Sequence, residues 1–469
     1  MSTAFLVTFL VYLIFLMSVG IYFYFKTSNL EQYLLGGRGV GAWVTALSAQ
    51  ASDMSGWLLL GLPGAVYLFG VNQMWIAIGL IIGTFLNWHF IAPKLRIATE
   101  ETQTITLPMF FQKKLHNSNG MIKNFSAIVI LFFFTIYASS GLVAAGKLFE
   151  SVFGLNYYTA VIIGMFTIVF YTFLGGYLAS VWTDFFQGII MFFAIIMVPI
   201  FAYNVVGGWQ SLSEVLLEKN ISRNLFDRVT LLGVLSSLSW GLGYFGQPHI
   251  LARFMSVSSL KELSKAQNIA MIWVIISLFG SVAIGLTGIG LFQNINQLRG
   301  DSELVFIMSV QQLFNPWLGG ILLAAILSAI MSTIDSQLLV SSTTLTEDFY
   351  RLVRKDASEH ELITIGRLSV ILISLLALGL ALNPQLKVFS LVSYAWAGFG
   401  VVFSPVVIVL LYKPEIKAKS VFFGMISGLL VLFLWKFLKY DSFLYELLPG
   451  FLANAFTMIL SEYLFKSKQ

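Results

Sequence analysis

Cysteine is absent from this chain of 469 residues, and charged residues are scarce. Without cysteine, the protein has neither a disulfide framework nor thiolate chemistry. Asp, Glu, Lys and Arg together make up 10% of the residues, against about 25% in an ordinary soluble domain. Hydrophobic residues make up 58%, and the mean hydropathy is +0.86. One water-facing core cannot hide this much apolar surface, so we expect much of it to face lipid.

The sequence also lacks the patterns that would suggest three other kinds of protein. The net charge of +5 comes from basic residues scattered between apolar segments, so nucleic-acid binding is not expected. The four histidines lie mostly near the ends of apolar segments or in loops, without a zinc-type His–Glu pairing, which disfavours an intramembrane hydrolase. We expect no cytoplasmic output domain of the kind that a receptor carries. The chain is therefore expected to be neither an enzyme nor the holder of an organic cofactor.

What the chain does have is a series of apolar runs, each near the roughly 20 residues that cross a bilayer. They predict an all-α integral membrane protein with about 13 transmembrane helices. The first run is too long for the core of a signal peptide, so we keep it as a helix of the mature protein. The predicted spans are 4–26, 41–70, 73–92, 122–148, 157–175, 183–206, 229–250, 267–293, 316–346, 364–382, 386–412, 419–437 and 443–465.

The distribution of Lys and Arg between these spans predicts the orientation. If the N-terminus lies outside, the inner loops and the C-terminal tail hold most of the 27 Lys and Arg residues. Arg253 is counted among these loop residues. Cytoplasmic loops of membrane proteins are enriched in positive charge. The sequence therefore predicts an N-terminus outside and a C-terminus inside.

Two predicted spans contain residues that disfavour a continuous helix. The second span carries Ser52–Gly56, where Ser, Asp and Gly are weak helix formers and Asp53 is a costly charge in the membrane. The seventh span carries Trp240–His249, with three glycines and a proline in ten residues. Alternatively, Asp53 is purely structural, and the glycines serve close helix packing. Interrupted helices at corresponding positions of two halves, however, are typical of a transporter binding site.

The ninth span carries a polar stripe. Ser328, Ser332 and Ser336 recur every four residues, and Thr333 and Asp335 lie beside them. Such hydroxyls often only bond back to the carbonyl four residues earlier. A stripe with an acid on it also suits a small hard cation, which prefers oxygen ligands. Periodicity alone does not choose between Na⁺ and H⁺.

Several segments, taken together, resemble the sodium:solute symporter family. The similarity runs from about residue 5 to residue 460, and segments as long as Ala51–Trp57 and Gly243–Met255 make it highly specific. The segments that carry it are Leu35–Arg38, Thr45–Ser48, Ala51–Trp57, Gly61–Ala65, Trp240–Phe254, Met331–Thr333, Ser336–Leu339 and Ser393–Gly400.

The resemblance implies one polytopic domain, residues 1–469, with a LeuT-type core of two inverted five-helix repeats. Repeat one would be 41–206 and repeat two 229–412, with a helix at 4–26 before them and two helices at 419–465 after them. The sodium ligands would be backbone carbonyls of Ala51, Met54 and Ala329 with the hydroxyls of Ser332 and Thr333, supported by Asp53 and Ser55. Asp184 would lie on the ion exit path. Asp335 has no assigned role, and the substrate pocket would draw on Trp57, Tyr137, Trp240, Tyr244 and Pro248.

The expected function is sodium-coupled symport of a small solute by alternating access, in the cytoplasmic membrane of a bacterium. L-proline is the expected solute, because the implied pocket offers aromatic faces and few partners for the hydroxyls of a sugar. The alternative is another amino acid, a carboxylate or a sugar carried by the same fold. Na⁺ is the expected coupling ion, and the lipid bilayer is the expected surrounding. The sequence leaves the oligomeric state open.

Overall fold

The computed structural model describes residues 3–26, 32, 35–117, 120–413 and 415–466. The ends of the predicted domain, residues 1–2 and 467–469, lie outside the described residues. The described chain is all-helical, as predicted, and its only β pairings are the isolated bridges Val40–Val257 and Gly70–Ser222. Within the described ranges, ten helices are long and apolar enough to cross a membrane. Three shorter apolar helices, Trp57–Phe69, Tyr157–Phe170 and Leu231–Gly246, fall in the remaining predicted spans.

The α-helices are numbered here in chain order. The first ten are α1 (Thr3–Lys26), α2 (Ala42–Asp53), α3 (Leu62–Phe69), α4 (Met74–Leu86), α5 (Ala92–Glu101), α6 (Leu107–Lys114), α7 (Met121–Phe153), α8 (Tyr157–Val206), α9 (Gly208–Glu218) and α10 (Leu231–Leu238). The others are α11 (Pro248–Ser256), α12 (Leu260–Leu291), α13 (Val305–Leu313), α14 (Pro316–Thr343), α15 (Arg351–Val353), α16 (Glu359–Ala381), α17 (Val388–Tyr412), α18 (Ala418–Phe437) and α19 (Leu447–Lys466).

Both predicted helix breaks are present. Helix α2 ends at Asp53, and a wide π-helical turn, Trp57–Gly61, leads from the break into α3. Helix α10 continues as a 3₁₀ segment, Ser239–Gly246, until Gln247 turns extended at φ −78° and ψ 107°. The residue before a proline avoids the helical region, while proline itself suits the first turn of a helix. Pro248 therefore ends one helical segment and begins α11.

One predicted boundary is wrong. The sequence separates spans 157–175 and 183–206, whereas α8 is interrupted only at Gly176. This residue has φ 62° and ψ −172°, a conformation that a residue with a Cβ rarely adopts. The following helix thus begins at residue 176 rather than at residue 183. The polar residues Ser180, Thr183 and Asp184 are buried inside it.

The 3₁₀ segment packs directly on α4 through glycine. A Cβ on Gly83 would lie 2.3 Å from the carbonyl oxygen of Gly241, and one on Gly79 would lie 2.7 Å from the Cα of Leu238. Non-bonded atoms do not approach that closely, so there is no room for a Cβ at either glycine. The two backbones are therefore in direct contact. Small residues allow this kind of approach between membrane helices. The contact holds the broken helix at a fixed distance from its neighbour.

We expect Gly83→Ala to lower the thermal stability of the purified protein, because the added methyl group must push α4 away from the 3₁₀ segment. Overpacking of this kind costs about 1–3 kcal/mol. Gly379→Ala is the matched control, since Gly379 lies inside α16 with open space where a Cβ would be added. Equal melting temperatures for the two variants would show that the contact at Gly83 is not tight.

Candidate functional site

The two broken helices meet at Asp53. Its side chain is buried, and its Oδ2 accepts a hydrogen bond of 2.6 Å from the hydroxyl of Tyr244 in the 3₁₀ segment. The hydroxyl of Tyr137, on α7, lies 3.5 Å from the backbone oxygen of Asp53. Ser55 supports the break locally, because its Oγ accepts a hydrogen bond from the amide of Trp57. The break in α2 is thus held by both the 3₁₀ segment and α7.

A narrow aromatic cavity adjoins Asp53. The rings of Trp57 and Trp240 stack on each other in its wall, with centroids 5.5 Å apart. The indole of Trp396 donates to the carbonyl of Trp240 at 2.8 Å. Four of the five predicted substrate residues therefore line one cavity. Its walls are Asp53, Met54, Trp57, Leu80, Tyr137, Trp240, Tyr244, Val392 and Trp396.

Pro248, the fifth predicted substrate residue, lines a different cavity. That cavity has about 480 Å³ of open space, and its walls include Tyr177, Arg253 and Thr343. Pro248 begins α11 after the extended residue Gln247, which ends the 3₁₀ segment that carries Tyr244. The structure thus places Pro248 next to the end of the aromatic segment, with its side chain on the far cavity.

The predicted sodium ligands lie between α2 and α14. The hydroxyl of Ser332 is 2.8 Å from the backbone oxygen of Ala51, 2.8 Å from that of Ser328 and 3.3 Å from that of Ala329. Thr333 is buried, and its Oγ1 has no hydrogen-bond partner among the described residues. Carbonyl and hydroxyl oxygens of this kind suit a hard cation. The structure brings Ala51, Ala329 and Ser332 together and leaves the Thr333 hydroxyl available.

Met54 completes the predicted ligand set at the break itself. It follows α2 with φ −83° and ψ 12°, and its amide donates to the oxygen of Gln50. Its own carbonyl accepts from the amide of Leu58 at 3.3 Å. Backbone hydrogen bonds are most often about 2.9–3.0 Å long. The carbonyl of Met54 is therefore only weakly hydrogen-bonded.

A second polar cluster surrounds Asp184, between α8, α11 and α2. Asp184 Oδ2 accepts from Ser48 Oγ at 2.7 Å and from Arg253 Nη2 at 3.1 Å. Arg253 also contacts the hydroxyl of Ser336 on α14. The assignment of Arg253 to an inner loop was wrong, because it lies in α11 and is 1% exposed. Its pairing with a buried carboxylate offsets the cost of placing its charge there.

Asp335 lies beside this cluster on α14. It is 1% exposed, and its Oδ1 accepts a hydrogen bond of 3.3 Å from Ser336. Oδ2 has no hydrogen-bond partner within the part of the chain that the structure describes. The sequence places this acid beside a polar stripe, but only the fold shows which cluster it adjoins.

Sequence reasoning gave no role to three walls of the aromatic cavity, Leu80, Val392 and Trp396. Trp396 lies in one of the family-like segments, and an aromatic residue in such a segment is a usable signal for a substrate pocket. Leu80 and Val392 carried none, because one more apolar residue in a membrane span is indistinguishable from a lipid-facing one. Only the packing of α4 and α17 against the 3₁₀ segment brings them to the site.

Comparison with known proteins identifies the family. The sequence profile of the sodium:solute symporter family matches residues 33–428. Among curated proteins, the chain is 48% identical over 461 residues to sodium/proline symporter 2 of Staphylococcus saprophyticus subsp. saprophyticus, covering 96% of this chain and 90% of that protein. It is also 48% identical over 457 residues to the sodium/proline symporter of Staphylococcus aureus, covering 95% of this chain and 89% of that one.

Solved structures show the same fold at much lower identity. A Na⁺-coupled sialic acid symporter in a substrate-bound outward-open state has a TM-score of 0.83 at 17% identity, with 99% of this chain and 98% of that one covered. A nucleobase-cation-symport-1 family transporter in a closed conformation has a TM-score of 0.59 at 13% identity, with 93% and 94% covered. The match of the profile and the identity of the curated relatives decide the classification: this chain is a multi-pass membrane protein of the sodium:solute symporter family.

Proposed function

We propose that this protein is a transporter that carries L-proline into the cell together with Na⁺. The observation that carries the proposal is its 48% identity, across nearly the whole chain, to proteins named sodium/proline symporters. The geometry agrees with it, because two broken helices meet at a buried carboxylate beside an aromatic cavity. Broken helices at a cavity are the usual setting for substrate and coupling ion in secondary transporters.

The proposed architecture has 13 transmembrane spans, counted from the ten long helices and the three shorter apolar ones. Repeat one is 41–206 and repeat two is 229–412, related by inversion in a LeuT-type core. The helix at 4–26 precedes them, and the helices at 419–465 follow. We place the N-terminus outside and the C-terminus inside the cytoplasmic membrane of a bacterium. The excess of positive charge in the loops assigned to the inside supports this orientation.

The proposed sodium site takes the carbonyls of Ala51, Met54 and Ala329 and the hydroxyls of Ser332 and Thr333. A cation there would hold the break in α2 against α14, in place of the hydrogen bond that Ser332 now donates to Ala51. The charge of Asp53, buried at the same break, favours a cation at this position. Asp184, paired with Arg253, lies on the proposed exit path of the ion.

Coupling follows from the shared break. An ion that orders the segment around Asp53 also orders Trp57, whose ring forms one face of the aromatic cavity. By reciprocal linkage, the substrate then tightens the binding of Na⁺ by the same factor. Each Na⁺ that moves inward gains about 2.3 kcal/mol per 100 mV of membrane potential. Rocking of one helix bundle against the other would release Na⁺ and the substrate to the cytoplasm.

The chemistry of the cavity favours a small zwitterion with an apolar body. The indoles of Trp57 and Trp240 stack on each other here, and Trp240 also stacks on Tyr445. When the two indoles separate, their faces would receive a compact ring and attract a cationic nitrogen by about 0.5–2 kcal/mol. Trp57 Nε1 is buried without a hydrogen-bond partner among the described residues, so it is an available donor for a carboxylate. A sugar would need partners for several hydroxyls, each costing about 1–3 kcal/mol when left unpaired. The alternative remains another small solute on the same fold.

Thermal unfolding of the purified protein tests the substrate. We expect proline to raise the melting temperature only when Na⁺ is present, and Trp240→Ala to remove that shift. Trp317→Ala is the matched control, because Trp317 is an exposed tryptophan at the start of α14. If a sugar, or a carboxylate without an amine, raised the melting temperature and proline did not, the substrate would be wrong while the sodium-coupled function survived.

A further inference from the structure

A tyrosine from outside the two proposed repeats packs on a wall of the aromatic cavity. Tyr445 lies just before α19 and is 6% exposed. Its ring stacks on that of Trp240, with centroids 5.0 Å apart and planes inclined by 23°. Trp240 lines the cavity, whereas Tyr445 is not among the walls that the described part of the chain provides. Tyr445 therefore supports the indole of Trp240 without lining the cavity itself.

Hydrogen bonds to three helices hold Tyr445 in place. Its amide donates to Ser236 Oγ of α10 at 2.8 Å, and its hydroxyl donates to the backbone oxygen of Ser393 on α17 at 2.6 Å. The indole of Trp435, on α18, donates to the carbonyl of Leu444, the preceding residue, at 2.8 Å. Because the backbone and the hydroxyl are both bonded, the ring between them is fixed in position.

The helix that follows Tyr445 is joined to α17 at a proline. Pro405 has no amide hydrogen, so the carbonyl of Val401, four residues earlier in α17, loses its partner within the helix. Asn454 Nδ2, on α19, donates to this carbonyl at 2.7 Å and to that of Val402 at 3.0 Å. A shift of α19 would leave a buried carbonyl unpaired, so α19 and Tyr445 stay at a fixed distance from α17.

The indole of Trp240 is supported mainly by other rings. Trp396 donates to its backbone carbonyl at 2.8 Å, which fixes the main chain and not the ring. The ring contacts Trp57, Phe389 and Tyr445. If the two indoles separate to admit a solute, Trp240 loses Trp57. Of the remaining two rings, Tyr445 is closer to Trp240 than Phe389, at 5.0 against 5.6 Å, and more nearly parallel to it, at 23° against 51°.

We infer that Tyr445 is a positioning residue that limits the size of the solute, because it prevents Trp240 from moving away from the cavity. This inference rests on the proposed transport of a small cyclic amino acid. The space that opens between Trp57 and Trp240 then depends on a residue of the C-terminal helix pair, outside both proposed repeats. A ring with one more methylene group than proline needs Trp240 to move against Tyr445, so the cavity selects against it.

Cyclic amino acids of increasing ring size measure this limit. Azetidine-2-carboxylate, L-proline and L-pipecolate differ by one methylene group at each step, and each competes with the uptake of labelled proline into proteoliposomes. In the wild-type protein, pipecolate should compete at least about 10-fold more weakly than proline, as is usual for one methylene group in an apolar pocket. Tyr445→Leu should reduce this ratio of inhibition constants about fivefold, because leucine offers no flat face to hold the indole.

Two matched variants separate the ring of Tyr445 from its hydroxyl and from its helix. Tyr445→Phe keeps the ring and loses the bond to Ser393, so it should lower the melting temperature and keep the wild-type ratio. Tyr463→Leu removes an exposed tyrosine of α19 and should leave the ratio unchanged. If Tyr445→Leu does not fold, Tyr445→Met replaces it with the same expected ratio, because the flexible methionine side chain fills irregular space.

A double-mutant cycle tests whether Tyr445 acts through Trp240. Trp240→Phe replaces the indole with a smaller ring, which leaves Tyr445 less surface to support. In this background, Tyr445→Leu should change the ratio of inhibition constants less than it does in the wild-type protein. The ratio is independent of the amount of folded protein. A merely structural role of Tyr445, which would lower the amount of folded protein and the maximal rate, therefore leaves the ratio unchanged.

The outcomes distinguish the role of Tyr445 from the proposed substrate. An unchanged ratio in the folded leucine or methionine variant would overturn that role, and so would an equal decrease in Tyr445→Phe or Tyr463→Leu. A full effect of Tyr445→Leu in the Trp240→Phe background would contradict action through Trp240. If the wild-type protein takes up no proline with Na⁺, the proposed substrate is wrong and the limit on ring size is wrong with it. Proline uptake with an unchanged ratio would refute the role of Tyr445 alone.

Discussion

Replacing Asp53 with alanine is expected to abolish concentrative uptake while leaving the protein folded and inserted in the membrane. Asp53 is a buried carboxylate at the break in α2, hydrogen-bonded to Tyr244 at 2.6 Å. A bound Na⁺ would lose the negative charge beside it, and losing one partner of a buried charge pair costs about 3–5 kcal/mol. We therefore expect sodium-driven proline uptake in proteoliposomes to fall by more than about 100-fold. Elution of the variant as a single species in detergent would show that it is folded.

Two variants separate the charge of Asp53 from its hydrogen bond. Asp53→Asn keeps the shape and an oxygen that can accept from Tyr244, but it has no charge, so it should lose uptake as alanine does. Tyr244→Phe removes the hydrogen bond and keeps the carboxylate. It should weaken substrate binding and still allow sodium-driven accumulation. Full sodium-driven uptake by Asp53→Asn would contradict the role given to the charge at this break.

The membrane helices and their interruptions were predictable because local chemistry determines them. An apolar run must satisfy its backbone polar groups as a helix, and Ser52–Gly56 and Trp240–Pro248 weaken that helix wherever they occur. The same reasoning failed at 176–182. The sequence leaves these residues between two predicted spans, but α8 continues through them after Gly176. The break depends on the positive φ of Gly176. The sequence alone does not show which of the adjacent glycines, Gly175 or Gly176, interrupts the helix.

The site was predictable to the extent that the family resemblance carried it. Trp57, Tyr137, Trp240 and Tyr244 converge on one cavity, while Pro248 lines another. The pairings that depend on distant parts of the chain could not be predicted from one sequence. Lys147 and Glu303 are 156 residues apart, and Asp184 and Arg253 are 69 apart. A single acid in a membrane span predicts that a partner exists, but only the packing of the helices shows which residue it is.

The sodium site is expected to respond to the loss of single hydroxyls. Ser332→Ala and Thr333→Ala should each raise the Na⁺ concentration needed for half-maximal uptake about 10-fold. The reason is that each variant removes one oxygen ligand of Na⁺, and such a loss costs about 1–3 kcal/mol. The maximal rate should change less, since the remaining oxygens still form the site. Ser341→Ala is the matched control, because Ser341 is a buried serine on the same helix, outside the proposed ligand set.

The two hydroxyls should differ in a second measurement. Ser332 also joins α14 to the oxygen of Ala51 in the absence of an ion, at 2.8 Å, whereas the Thr333 hydroxyl has no partner among the described residues. Ser332→Ala should therefore lower the melting temperature without Na⁺, and Thr333→Ala should not. Both should reduce the stabilisation that added Na⁺ provides. If both variants kept an unchanged dependence of uptake on Na⁺, the stripe on α14 would be structural and the coupling ion would bind elsewhere.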